Sequence, residues 1–323
     1  MNQKNVNIKK CAIIGCGNVG ATTAYSLMLD RTFSEIVLID IDHRKASGEA
    51  ADLNHGLPFI APMDIYAGDY SDISDASIII ITAGANQKPG QTRTDLVRLN
   101  AKIFKSIVEN IIKYNTDAIL LVVTNPVDVL TYVTLKISGF PPSRVIGSGT
   151  VLDTARLKYL SGQYLGVDNR NIHTFIIGEH GDSELAVWSC ATVSGIPLTQ
   201  FCNSECLDCG MEKLVKIYNQ VKNSAYDIIE AKGATYYAIA ESVRRIVNAI
   251  VHDEDSILPV SSLINGHYGI NDVCLGVPSI VGQTGIKGIL DLPLNDQEHH
   301  DLQESAKKMR EVIDSLQLKP SLI

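Results

Sequence analysis

The chain has 323 residues, 45% of them hydrophobic and 20% charged, the composition of a globular protein with a large apolar core rather than a disordered one. Twenty-eight basic against thirty-six acidic residues leave a net charge of −8, which argues against nucleic acid or an anionic membrane surface as partner. An anionic substrate would have to be drawn in by local arginines against that field. Seven cysteines, an odd number without a paired framework, favour a reducing compartment. The basic start MNQKNVNIKK leads into an apolar run of only Cys11 to Ile14, too short for a signal core or a membrane span, so a cytoplasmic protein is expected.

Residues 11–15 (CAIIG) read as a buried strand, 18–30 as a helix, 35–40 (EIVLID) as a second strand and 44–56 as a second helix. Strands at 77–82 (SIIIIT) and 118–124 (AILLVVT) follow, with helices near 95–115 and 127–138. Apolar runs alternating with helices predict a parallel sheet covered on both faces. Beyond about residue 150 the rhythm changes. Strands are expected at 172–177, 187–193, 257–264 and 273–281, and helices near 152–165, 211–230, 235–251 and 296–317. This predicts an α/β chain with a Rossmann-type doubly wound half, residues 1–149, and a mixed α+β half, residues 150–323, packed without a flexible linker.

Gly15-Cys-Gly17-Asn-Val-Gly20 follows a strand and opens a helix, the context that a dinucleotide fingerprint requires. Gly15 permits the tight turn, Gly17 lets a pyrophosphate approach the backbone, and Gly20 lets the helix pack on the strand. Asn18 and Val19 complete the turn that would hold the cofactor. Asp40 stands 20 residues beyond Gly20, at the end of the second strand. A carboxylate there accepts hydrogen bonds from ribose hydroxyls and repels a 2′-phosphate, which selects NAD over NADP.

Six blocks in order, GCGNVG (15–20), NQKPGQTR (86–93), TNPVD (124–128), LDTAR (152–156), IGEHGD (177–182) and GATYYAIA (233–240), resemble the L-lactate and malate dehydrogenase family over nearly the full length. The bacterial lactate-type members match most closely. The resemblance implies reduction of a 2-oxo acid by hydride and proton, with His180 as proton donor and acceptor. Asp153 would fix the ring tautomer and stabilise the imidazolium, although an acid opening the helix LDTARLKYL also reads as an N-cap. Arg156, three residues on, shares that helix face and suits a bidentate grip on the substrate carboxylate. Arg93 would come from a loop of about 85–97 that closes over substrate, and its charge would stabilise the developing alkoxide. Asn125 would bond the carbonyl and help seat the nicotinamide.

Gln87 separates the substrates within the family. Malate-type members carry arginine at that loop position for a second carboxylate. Neutral Gln87 would leave oxaloacetate's extra charge unpaired in a closed site, so pyruvate and L-lactate are expected, with Thr235 limiting side-chain size. A malate or broad L-2-hydroxy-acid dehydrogenase is the alternative, and a catalytically silent NAD-binding regulator a remote one. The resemblance also implies a homotetramer and an effector site for fructose 1,6-bisphosphate at His173 and position 158. Lys158 stands where the family has arginine and offers a point charge without the fork, which leaves activation open. Cys202, Cys206 and Cys209 have a spacing seen in cluster-binding loops, but no adjacent histidine completes a zinc set. Surface thiols and no metal are expected there.

Overall fold

A computed structural model describes residues 7–85, 93–204 and 210–317. The first half supplies strands β1 (Asn7–Ile14), β2 (Glu35–Ile39), β3 (Asp64–Ala67), β4 (Ala76–Ile81), β5 (Ile119–Val122) and β6 (Val145–Gly147). Helices α1 (Asn18–Asp30), α2 (His43–Gly56), α3 (Arg93–Tyr114) and α4 (Val127–Ser138) lie between them. The six strands are parallel, in the order β6-β5-β4-β1-β2-β3. This is the Rossmann-type order, and its switch point falls between β1 and β4, where such sheets bind ligands beyond the strand ends.

The isoleucine run explains why the sheet forms. Side chains alternate across a strand: Ile79 and Ile81 join the core under α3 and α4, whereas Ile78 and Ile80 join the core under α1 and α2. All four are at most 1% exposed, as a sheet covered on both faces requires.

The second half begins with α5 (Val151–Leu165) and two short ladders, built from β7 (Ile172–His173), β8 (Ile176–Ile177), β9 (Leu185–Ala186), β10 (Thr192–Val193) and β11 (Ile196–Pro197). Helices α6 (Leu198–Ser204), α7 (Met211–Lys232) and α8 (Tyr237–Val251) follow. Strands β12 (Ser256–Asn265), β13 (Asn271–Gly282) and β14 (Gly285–Ile289) precede the last helix, α9 (Asp296–Ser315). These three strands extend the first half's sheet to nine, antiparallel, through the pairing of Ser261 in β12 with Gly147 in β6.

Three local expectations differ from the structure, the first being the strand at 172–177, which is split into β7 and β8 of different ladders. Of the strand expected over 187–193, only Thr192 and Val193 pair, as β10; residues 187–191 form a turn after β9, where Glu298 at the start of α9 captures Ser189 through both its amide and its hydroxyl. Cys202 is not a surface thiol: it is 2% exposed on α6 and disulfide-bonded, while Cys206 and Cys209 lie outside the described residues. Strands β3, β6 and β14 were not expected from sequence, since three to five residues carry too little periodicity. Among the described residues no helix is long and apolar enough to cross a membrane.

Candidate active site

The glycine turn is built at the switch point. Gly15 has φ +104°, and a Cβ there would lie 2.5 Å from the Ala83 amide nitrogen beyond β4. A Cβ on Gly20 would lie 1.9 Å from the Gly15 carbonyl oxygen, so α1 can rest on the turn only as glycine. Gly17 is different. Its φ of −73° suits any residue, and a Cβ there would meet no protein atom within 4 Å. The protein itself therefore does not require glycine at 17; a ligand approaching the backbone would. Gly17 caps α1 without a side chain, and no acidic residue stands in the first turn, so the positive helix end is left for an anion.

Asp40 follows β2 and closes the same cradle. One of its oxygens accepts from the Cys16 amide at 2.6 Å and the other from the Asp42 amide at 2.9 Å. These bonds fix the carboxylate beside the glycine turn and leave lone pairs for ribose hydroxyls. Glycine turn, uncapped helix end and fixed acid together fit an NAD-type dinucleotide. We expect Gly17→Val to raise the NADH dissociation constant at least about tenfold with little change in melting temperature, and Gly20→Val to unfold the domain. Fluorescence titration with NADH and thermal melts of both variants check this contrast.

The candidate acid–base group, His180, is carried by the second half. Residues Gly178 to Ser183 leave β8, anchored by the reciprocal backbone bridge of Gly178 with Gly276 in β13. Glu179 binds the Ser183 amide and hydroxyl, and its own amide donates to the Ser305 hydroxyl of α9. His180 is thus held at both ends. Its amide donates to the Asp128 carboxylate at 2.7 Å, and its Nδ1 meets the Asp153 carboxylate at 2.5 Å. Among the described residues Nε2 has no hydrogen-bond partner, which leaves it available for proton exchange.

Asp153 is not the N-cap of α5; Thr150 is, and Asp153 lies inside the first turn at 3% exposure. Its second oxygen accepts from Arg156 at 2.9 Å. Burial alone would raise the Asp153 carboxyl, but His180 and Arg156 hold it below the usual carboxylate range. For His180 burial works against the imidazolium, and the facing carboxylate of Asp153 outweighs it, carrying the ring up to about 9. An imidazole so placed is charged at neutral pH and able to give up its proton to a developing alkoxide.

Several further polar residues support this site, of which only Asp128 falls in one of the six sequence blocks, TNPVD. Asp128, in the first turn of α4, is 2% exposed and takes the Ser261 hydroxyl at 2.6 Å besides the His180 amide. Asn100 of α3, fully buried, binds the Ala85 amide at 2.8 Å and the Asn125 carbonyl at 3.0 Å. It ties the stem of the 86–92 segment to the turn after β5. Asn125 itself is exposed in that turn, preceding a cis peptide to Pro126. Thr235 is half-buried in the link between α7 and α8. Gln87 lies outside the described residues; Arg93, expected within a loop of about 85–97, is instead the first residue of α3, so residues 93–97 are helical.

Both halves of this arrangement match one family. Residues 9–147 fit the lactate/malate dehydrogenase NAD-binding domain, and residues 150–318 fit the lactate/malate dehydrogenase alpha/beta C-terminal domain. The chain belongs to the lactate/malate dehydrogenase family. It is 58% identical to an L-lactate dehydrogenase of Acetivibrio thermocellus, across 98% of this chain and 100% of that protein. It is 55% identical to L-lactate dehydrogenase 1 of Clostridium acetobutylicum, across 95% and 98%. A ligand-bound crystal structure of a minor L-lactate dehydrogenase from Enterococcus mundtii superposes with a TM-score of 0.94 at 43% identity, covering 96% of this chain and 99% of that one. As a member of the lactate/malate dehydrogenase family, the protein is an NAD-dependent oxidoreductase.

Proposed function

We propose that this chain is an L-lactate dehydrogenase that interconverts pyruvate and L-lactate, with His180 exchanging the proton. The observation that carries the reading is the continuous line His180–Asp153–Arg156, which joins a proton donor to a carboxylate clamp through one buried acid. Residues 1–149 would hold the cofactor on Gly15, Gly17, Asn18, Val19, Gly20 and Asp40, and residues 150–323 would hold the substrate. NADH, when bound, supplies the hydride.

The roles of the side chains follow from their chemistry. Arg156 exchanges part of its bond with Asp153 for the substrate carboxylate, a bidentate pairing suited to its planar fork. That leaves the 2-oxo carbon near Nε2 of His180, with Asn125 on the carbonyl oxygen. Arg93 adds positive charge to that oxygen as it becomes an alkoxide. His180 then donates its proton to the oxygen, and Asp153 keeps the ring oriented through the change of charge. In the reverse direction His180 takes the proton from the L-lactate hydroxyl.

Neutral Gln87 favours pyruvate over oxaloacetate, because a second carboxylate would enter a desolvated site without a partner. Gln87→Arg is expected to shift the ratio of kcat/KM for oxaloacetate over pyruvate upward by at least about tenfold. An unchanged ratio would show that residue 87 does not face the substrate. Wild-type NADH oxidation with pyruvate, oxaloacetate and 2-oxoisocaproate tests the function itself. Pyruvate should give the largest kcat/KM, and no turnover above background would leave the chain a silent cofactor-binding protein.

A homotetrameric, cytoplasmic enzyme with fructose 1,6-bisphosphate as effector belongs to the same proposal. Lys158 on α5 and His173 on β7 stand on elements packed against each other. Among the described residues no carboxylate pairs with Lys158, and partial burial lowers its ammonium. An unpaired, partly desolvated cation suits a phosphate. Repeating the pyruvate assay with the effector present decides it.

A further inference from the structure

The proton site holds one ionisable group more than the reaction needs. Glu184, in the turn just before β9, is 8% exposed. One of its carboxylate oxygens, an oxygen of Asp153 and a ring nitrogen of His180 lie within 4.8 Å of one another. Two carboxylates and an imidazole packed so closely cannot titrate independently.

The cations around Glu184 have other partners. On α5, Arg156 is engaged by Asp153. On α7, Lys222 donates to the Asp182 carbonyl at 2.8 Å and lies over the Tyr218 ring. Neither forms an ion pair with Glu184 among the described residues. Tyr218 gives its hydroxyl to the Glu184 main-chain carbonyl, not to the carboxylate. Asp128, from α4, adds a further negative charge near His180, and Glu179 is bound to Ser183. The cluster could be mistaken for a cation site, but Arg156 and Lys222 already bring positive charge to it.

We propose that Glu184 is a positioning residue that holds a second proton at the site, neutral while an anionic substrate lies on Arg156, and so sets the alkaline limit of substrate binding. The proposal rests on the reading of His180 as proton donor. An anionic Glu184 would place a second negative charge beside Asp153 just where the substrate brings a third. Taking a proton from solvent removes that repulsion. Burial and the charge of Asp153 push the Glu184 carboxyl up to about 8, against the pull of His180, Lys222 and Arg156. Its protonation thus falls within the range where the enzyme can be assayed. Ionisation of Glu184 acts on substrate binding, and deprotonation of His180 acts on both binding and chemistry.

The test is the pH profile of kcat/KM for pyruvate at saturating NADH, from about pH 6 to about pH 10.5, for wild type, Glu184→Gln and Glu184→Asp. Two protons required together give an alkaline limb that steepens towards about a hundredfold per pH unit, and one proton gives about tenfold. Wild type and Glu184→Asp should show the steeper limb, Glu184→Gln the shallower one, and the difference should lie in KM. A wild-type limb of about tenfold, or a Glu184→Gln limb as steep as wild type, overturns the proposal. Should Glu184→Gln fail to fold, the limbs of wild type and Glu184→Asp still decide it. His180→Asn in the same assay separates the two readings: turnover at the wild-type rate would sink the role of His180, whereas an inactive His180→Asn with identical limbs would sink only that of Glu184.

Discussion

Replacing His180 by asparagine is expected to lower kcat for pyruvate reduction by on the order of 10³–10⁴ while leaving the NADH dissociation constant within about twofold. The asymmetry follows from the architecture. His180 is carried by the strands and helices of the second half, while the glycine turn and Asp40 stand at the carboxyl ends of β1 and β2. Loss of NADH binding in this variant would contradict the assigned role. A stability effect accompanies the kinetic one. In the fold the imidazolium is favoured up to about 9, against 6.5 for an unperturbed ring. The protonated pair with Asp153 therefore stabilises the native state fully below about pH 6.5 and loses that contribution as pH rises towards 9. Thermal melts of wild type and His180→Asn should differ most near pH 6 and converge above about pH 9.

Arg156→Lys is expected to raise KM for pyruvate on the order of a hundredfold, the equivalent of about 2–3 kcal/mol, with a smaller effect on kcat. Lysine keeps the charge and loses the fork. It can bond Asp153 or the substrate carboxylate, but it cannot present parallel donors to the substrate while remaining in line with Asp153. Steady-state kinetics at saturating NADH measure the split. A fall in kcat with KM unchanged would mean that Arg156 acts on His180 through Asp153 more than on the substrate.

The parts of the site legible in sequence were those written in consecutive residues. Gly15 to Gly20 sit between a strand and a helix, and Asp40 ends the next strand, so local periodicity was enough to place them at one crevice. Asp153 and Arg156 share a helix face by spacing alone. His180 was legible only through resemblance, since nothing local distinguishes a histidine between a glutamate and a glycine. The backbone anchoring of His180 by Asp128 and Ser261 was hidden for a different reason, although Asp128 lies in the TNPVD block. Asp128 lies 52 residues from His180 and Ser261 lies 133 from Asp128, and only the sheet order brings them together. Asn100 was hidden likewise, its contacts lying 15 and 25 residues away. The apolar residues of 187–191 suit a strand, and Glu298, more than a hundred residues later, overrides that preference through Ser189.

The seam between β6 and β12 constrains how this enzyme could be recombined with its relatives. A Cβ on Gly147 would lie 2.3 Å from the Thr131 hydroxyl and 2.7 Å from the Ser261 Cβ, so the two strands meet with no slack. Ser261 also steadies Asp128, and with it the backbone of His180. A hybrid cut between residues 147 and 150, where the family's two modules divide, would join a Gly147 and Asp128 from one parent to a Ser261 from the other. Such hybrids should work only when Gly147, Asp128 and Ser261 descend together or are identical in both parents. The unit of inheritance for proton transfer here is therefore a knot of three residues that straddles the module boundary.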